Sequence, residues 1–296
     1  MPKKNSLNDF DLDRLRKMFN RRHKRPGDVL KSLLDRGMVA APGVYNARGA
    51  QTAREQGFQA VYLSGWAVSA MDWGLPDMGF HDRTMMTLIG KFIVAAASPL
   101  PVIIDAETGF GTETTLPLTV EAYHSIGGAM AHMEDQDSES TRRCGNLGGK
   151  KCVSPKKMAA KIKSWLAVSK ALDTSMLLMV RTDALTASNG GVEGAIERGK
   201  RYMDVEYQGR RPDVLWADAM IDPKIIDKWI TAMRKHDPKM ILGINYSPNK
   251  DWAGYYREKY KRLPPTYADL YRGGDGFRLI WHTILQARAD AESTWN

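Results

Sequence analysis

The sequence predicts an α/β fold of the TIM (β/α)8 barrel type, on three observations. Six short apolar runs, at 61–64, 102–105, 131–134, 177–181, 214–218 and 240–245, each end in a carboxylate or another polar group. Helix-length stretches separate these runs. The chain has 296 residues, 43% of them hydrophobic, which suits one large core of that architecture. A parallel strand buried on both faces is apolar throughout, so a polar last residue belongs to the edge of the sheet. In a barrel the carboxyl ends of the strands surround one mouth. Ser64, Asp105, Glu134, Arg181, Asp218 and Asn245 are therefore expected to converge there.

Taken in order, residues 1–36 read as a basic helical arm with Leu12, Leu15 and Phe19 on its apolar face. Residues 37–280 read as the barrel. Gly37 to Asn46 gives a first strand ending in a turn, followed by a helix over about 47–56. Further helices are expected at about 83–97, 114–126, 155–171, 192–208, 223–236 and 252–261, each between two strands. Residues 276–280 form a weaker eighth strand, and a final helix occupies 281–296. The longest irregular stretches, 66–82 and 136–154, directly follow strands and are candidate lids over the mouth.

Charge and composition exclude several classes. The formal net charge is +9, but residues 1–26 hold nine Lys and Arg against three Asp, or +6, which leaves +3 for the other 270. The basic excess is a local arm, better read as a solvated or subunit-contacting helix than as a nucleic-acid surface. No apolar run approaches the roughly 18 residues of a membrane span, and no signal-peptide core is present. The two cysteines, Cys144 and Cys152, are too few for a disulfide framework and fit a reducing cytoplasm.

Several groups carry chemistry. Asp105-Ala106-Glu107 puts two carboxylates two residues apart on one side of an extended segment, ahead of glycines that permit a sharp turn, and Glu134-Asp135-Gln136 adds more. Hard cations such as magnesium take oxygen ligands and keep several waters. The same acids could cap strand ends and pair with Arg or Lys, and spacing alone does not separate the two readings. The position at the barrel mouth favours metal. Arg142-Arg143-Cys144-Gly145-Asn146 places a thiol beside cations, which lower a thiol pKa; an ordinary basic loop is the plainer reading. Cys152 enters a helix and reads as inert. Arg181 could bind a carboxylate bidentately or form a structural ion pair with Asp218. Asn245-Tyr246-Ser247-Pro248-Asn249 offers amide and hydroxyl donors, although such a turn needs no ligand. His124, His132 and His282 share no ligand spacing and receive no catalytic role.

Together these pieces resemble a family. Ser64-Gly65-Trp66, the Asp105 to Gly111 segment, Glu134-Asp135-Gln136, Arg143-Cys144-Gly145, Arg181-Thr182-Asp183-Ala184 and Asn245-Tyr246-Ser247-Pro248 occur in the order found in the isocitrate lyase and phosphoenolpyruvate mutase superfamily, over about residues 38–252. The Cys-Gly loop and the Asn-x-Ser-Pro turn look most like isocitrate lyase. The resemblance implies a magnesium-dependent barrel, with manganese as a substitute, that cleaves a carbon–carbon bond in a 2-hydroxy di- or tricarboxylate. It implies Asp105 as direct metal ligand, with Glu107 and Glu134 acting largely through water. Ser64, Gly65 and Trp66 would hold the oxo-acid product with Arg181. Asn146, Asp218, Asn245, Ser247 and Asn249 would contact the rest of the substrate. Cys144 would protonate the carbanion, with Arg143 beside it. It also implies a homotetramer exchanging C-terminal helices.

The chain departs from isocitrate lyases in its loop, where they resemble one another in carrying Lys-Lys-Cys-Gly-His. Arginine does not deprotonate and asparagine cannot shuttle a proton. Asp218 stands where a longer Glu is usual, and Asn249 where a Ser is. Leu75-Pro76-Asp77-Met78-Gly79 looks more like the smaller acid lyases, which makes a related lyase acting on methylisocitrate or a substituted malate the alternative; an oxaloacetate hydrolase, in which the same site directs water onto a carbonyl, and a barrel that binds carboxylates without turnover are further ones.

Overall fold

Each apolar run forms a short parallel strand, and together they curl into a closed sheet in the order β1 to β8. The computed structural model describes residues 25–138, 149–220, 222–245 and 279–282. The strands are β1 (Val39–Val44), β2 (Val61–Leu63), β3 (Val102–Asp105), β4 (Met130–Glu134), β5 (Leu177–Thr182), β6 (Val214–Ala217), β7 (Ile241–Asn245) and β8 (Leu279–His282). All eight pairings are parallel, and β8 closes the ring by pairing with both β7 and β1. Strands β2 to β6 are buried at every residue, which is why they read as continuous apolar runs with no alternation.

The outer layer is helical: α1 (Pro26–Arg36), α2 (Ala47–Glu55), α3 (Arg83–Ala97), α4 (Pro117–Ser125), α5 (Pro155–Ala171), α6 (Val192–Met203) and α7 (Pro223–His236). Three of these match the expected bounds because their starts are written locally. Asp82, Ser154 and Asp222 accept the first free amides of α3, α5 and α7, and Pro155 and Pro223 suit a first turn. Helix α6 ends at Met203, short of 208, because Tyr207 and Arg210 pair backbone to backbone in a tight turn. Helix α4 starts at Pro117 because Thr112 and Thr115 bond to each other in a turn ahead of it.

Four expectations need correction or limit. Residues 26–36 are no free arm: Leu30 and Leu34 of α1 are fully buried, and Gly27 N–H donates to Ser175 Oγ at 3.1 Å. A side chain at Gly27 would collide with the Ser175 carbonyl, so α1 packs tightly against the entry to β5. The final helix does not begin at 281, since Trp281 and His282 belong to β8 and pair with β1 and β7. The stretch 66–82 is partly ordered as a helical turn, Gly65–Ala67, that widens into a π-helical turn, Val68–Asp72. Residues 1–24, the helix expected at 252–261 and the remainder of the C-terminal helix lie outside the described residues. No described helix is long and apolar enough to cross a membrane.

At the amino end of the barrel, Asp213 accepts the Leu178 N–H at 2.9 Å, and burial raises its carboxyl to about 6. The native state therefore holds that proton more tightly than the unfolded chain, and stability falls as pH rises from about 4 to 6. Asp213→Asn keeps an acceptor and removes the charge. Urea unfolding at pH 7 should show a gain on the order of 1–2 kcal/mol, and that part of the pH dependence should disappear.

Candidate active site

The polar strand ends meet at the carboxyl end of the barrel. Asp105 ends β3 and is the most heavily bonded of them. Its Oδ2 accepts from Tyr62 Oη at 2.9 Å and Gly65 N at 3.1 Å; its Oδ1 accepts from Glu107 N at 3.0 Å and lies 3.2 Å from His132 Nδ1. Burial would raise this carboxyl, but His132, the Glu107 amide and Arg181 hold it well below the usual range. His132 stands opposite Asp105 in the β3/β4 register and also touches Tyr62 Oη at 2.9 Å. His132 therefore does take part in the site. Alternation back from Glu134 along β4 puts it on the same face, a signal that ligand spacing alone does not use.

Glu107 follows in a left-handed conformation with φ of 51°, a strained state for a residue with a side chain. The turn swings its carboxylate to His81 Nε2 at 2.5 Å, and His81 Nδ1 is 3.1 Å from Ser69 Oγ. Burial lowers the His81 pKa, yet Glu107 outweighs it and the net shift is upward. Asp77, in the same connection, is raised to about 7 by burial and by the charges of Glu107 and Asp105. Neither His81 nor Asp77 is marked as a site residue by local sequence.

Gly65 has a packing reason. A Cβ there would come within 2.4 Å of Glu107 Oε1 and 2.8 Å of His81 Nε2. Both are ends of side chains that can move, so Gly65→Ala should fold but push the two apart. The histidine ring titration followed by proton NMR should then show the His81 pKa falling, with the melting temperature within a few degrees of the parent. An unmoved His81 would mean that the crowding is absorbed elsewhere. Ser64 caps the same turn, accepting from Ala67 N at 3.2 Å, and Trp66 is half-buried beside it.

Arg181 sits across the mouth in an ion-pair network. Its Nη1 lies 3.2 Å from Glu134, and its Nη2 lies 2.8 Å from Asp183 and 3.3 Å from Asp218. The guanidinium stacks 4.5 Å from the centre of the Trp216 ring. Glu134, Arg181 and Trp216 are register partners on β4, β5 and β6, so the stack follows from strand pairing. The structural pair with Asp218 is thus present, alongside two other carboxylates. Burial drives Glu134 well above its ordinary range despite Arg181, and raises Asp218 as well. Asp183 is held low, because Arg181 and Lys150 outweigh its burial.

Lys150, the last cation of the Gly-rich loop that carries Cys144, is a group to which sequence reasoning gave no role of its own. It is fully buried, with Nζ 2.6 Å from Asp183 Oδ1 and 3.8 Å from Asp218 Oδ2. Beneath it, Asp135 accepts from Thr182 Oγ1 (2.8 Å), Asp183 N (2.9 Å), Arg198 Nη1 (3.1 Å) and Tyr202 Oη (2.7 Å). Two of these partners come from α6, so the outer layer helps to fix the ends of β4 and β5. Cys152 is buried and its thiol is pushed up by that burial, in keeping with an inert group.

The three expected metal ligands do not form a ready-made cage. Asp105 faces Tyr62 and His132, Glu107 faces His81, and Glu134 faces Arg181; among the described residues no three His, Cys, Asp or Glu are grouped as a metal site. Arg143, Cys144, Asn146, Ser247 and Asn249 lie outside the described residues, and Asn245 is placed only as the last residue of β7. The donor set nonetheless suits a hard cation: Asp77, Asp105, Glu107 and Glu134 crowd negative charge at one end of the barrel, and burial with mutual repulsion raises two of them.

Known proteins resemble this chain in sequence and in fold. The family described as phosphoenolpyruvate phosphomutase matches residues 30–205. The chain is 30% identical over 275 residues to an isocitrate lyase of Haloferax volcanii, covering 92% of this chain and 74% of that protein. It is 36% identical over 180 residues to a 2-methylisocitrate lyase of Shewanella oneidensis, covering 61% of this chain and 58% of that one. A solved structure of oxaloacetate acetylhydrolase with 3,3-difluorooxalacetate superposes with a TM-score of 0.75 at 28% identity, covering 91% of this chain and 84% of that one.

Proposed function

Since the chain belongs to the phosphoenolpyruvate mutase and isocitrate lyase superfamily, we propose that it is a magnesium-dependent carbon–carbon lyase that releases an oxo acid from a 2-hydroxy di- or tricarboxylate. The observation that carries this reading is the set of strand ends at the barrel mouth: Asp105, Glu107 and Glu134 beside Arg181, with the Ser64–Gly65 turn above Asp105. Isocitrate, giving glyoxylate and succinate, is the leading substrate. 2-Methylisocitrate is supported equally by the relatives, and hydrolysis of oxaloacetate is the further alternative.

Asp105 would hold the magnesium ion directly, and Glu107 and Glu134 through water. Bound there, the ion supplies Lewis-acid stabilisation of negative charge on the oxo-acid oxygens. The chain's own residues do the rest. Ser64, Gly65 and Trp66 orient the oxo-acid half. Arg181, fixed by three carboxylates and the Trp216 ring, presents a positive plane to it at no cost in ordering during the reaction. As the substrate hydroxyl passes its proton to one of the carboxylates at the mouth and becomes the carbonyl, the carbon–carbon bond pair passes to the departing acid. The Cys144 thiol then protonates that carbanion, with Arg143 favouring the thiolate left behind. Asn245, Ser247 and Asn249 bind the distal carboxylate, and Asn146 and Asp218 contact the rest of the substrate.

An oligomer also fits. Met85, Leu88 and Phe92 lie along one exposed stripe of α3, with Leu118 exposed on α4, an apolar face suited to another subunit. The test of function is oxo-acid release, trapped as a hydrazone, from isocitrate and from 2-methylisocitrate with magnesium and then with chelator. Magnesium-dependent glyoxylate or pyruvate supports the reading and selects the substrate. Silence with both, together with tight carboxylate binding, would favour a barrel without turnover.

A further inference from the structure

The turn that follows β3 is held from the helical layer. Residues Asp105 to Gly109 are buried, and each of their five carbonyl groups accepts a hydrogen bond. Two of the donors are backbone amides: Gly109 N–H donates to Ala106 O at 2.6 Å, and Glu134 N–H to Glu107 O at 2.8 Å. The other three are side chains of the outer helices. Tyr123 Oη on α4 donates to Asp105 O at 2.7 Å, Thr119 Oγ1 on the same helix to Gly109 O at 2.9 Å, and Lys161 Nζ on α5 to Thr108 O at 2.8 Å.

Thr119 and Tyr123 are four residues apart, so they share one face of α4, and both are fully buried. Lys161 is 3% exposed, although a lysine ordinarily keeps its ammonium in water. Polar groups are costly to bury unless bonded, and all three place a donor on this one turn. The backbone they hold is strained: Glu107 and Phe110, both with side chains, have φ of 51° and 53°. Such conformations persist only where the surroundings over-determine them. Glu107 N–H itself donates to Asp105 Oδ1 at 3.0 Å, so the shape of the turn also fixes how the two acidic residues stand to each other.

We propose that Thr119, Tyr123 and Lys161 are positioning residues that act from the outer helices, locking the Asp105–Gly109 turn so that Glu107 is presented at the mouth together with Asp105. Removing one donor leaves a carbonyl without its partner and gives the turn access to relaxed conformations in which Glu107 points elsewhere. Under the magnesium reading of the mouth, on which the functional effect rests, this sets metal affinity. A site whose competent conformation is populated one tenth of the time binds about tenfold more weakly, and saturating ligand restores that conformation. The signature is a shifted magnesium dependence with kcat retained.

Thr119→Val keeps the shape and removes the hydroxyl, Thr119→Ser keeps the hydroxyl, and Tyr123→Phe and Lys161→Met remove the other two donors. Magnesium chloride is titrated into each full-length variant by calorimetry, and oxo-acid release is followed against magnesium concentration. Thr119→Val and Tyr123→Phe should raise both magnesium constants roughly three- to tenfold, and Lys161→Met, which loses a charged donor, about tenfold or more. At saturating magnesium kcat should stay within about twofold of the parent, and Thr119→Ser should match the parent throughout. A merely structural role would lower the melting temperature and leave the magnesium constants in place, and that result overturns the proposal. Amide exchange separates this from the magnesium reading: the donor-deleted variants should lose protection at Gly109 and Glu134 N–H while β6 keeps its own. A parent that neither binds nor responds to magnesium would sink the reading of the mouth; exchange then decides for the turn, and unchanged protection overturns its locking by these residues. Should Lys161→Met fail to fold, the two hydroxyl deletions decide.

Discussion

Asp105→Asn is expected to lower kcat/KM for oxo-acid release by about 10³ or more, equivalent to roughly 4 kcal/mol of transition-state stabilisation. Its carboxylate is the proposed direct magnesium ligand, so calorimetry should also show the magnesium heat disappear. The structure adds a second consequence. Four donors converge on this carboxylate, from Tyr62, Gly65, Glu107 and His132. An asparagine turns one of the two acceptor atoms into an N–H that faces another donor, whichever way the amide points. The melt should therefore show a loss of about 1–3 kcal/mol as well. A variant that still binds magnesium and retains turnover would remove Asp105 from the metal role.

Cys144→Ser is expected to reduce kcat by about 10²–10⁴ with little change in stability, since it replaces the acid by a much weaker one of similar shape. KM should stay near the parent value, because protonation of the carbanion follows binding and bond cleavage. Rapid-quench measurement should still detect oxo acid formed in a first turnover if cleavage precedes the blocked proton transfer. Unchanged kcat would assign the acid elsewhere, with the raised carboxyl of Asp77 as the first group to examine.

The barrel was legible because its strands are buried on both faces, so that apolar runs with polar ends mark both the strand and the direction of the mouth. Helix starts at 83, 155 and 223 were legible because an Asp or Ser cap, with proline in two cases, declares them within four residues. Boundaries set by long-range pairing were not. The strand β8 continues through Trp281 and His282 because β1 and β7 are there to pair with it, which no local pattern announces. The same holds in the site. Asp105, Glu134 and Arg181 stood out as polar strand ends, and the structure brings them together. His81 reaches Glu107 across 26 residues, and Lys150 reaches Asp183 across 33, so their roles depend on the closed fold. His132 and its partner Tyr62 were both within reach of a period-two reading, two residues before Glu134 on β4 and two before Ser64 after β2.

The Asp135 junction has a bearing on how such an enzyme tolerates change. One buried carboxylate joins two strand ends to Arg198 and Tyr202 on the outside of the barrel. The position of Glu134 is consequently inherited from the scaffold, and that of Asp183 from the scaffold together with Lys150 of the loop after β4. Substrate-selecting loops can then diversify around Lys150 without retuning the charged centre. The reverse also follows: a modest substitution on the outer helix, such as Tyr202→Phe, is a remote route to altered chemistry at the mouth, although it touches nothing that the substrate meets.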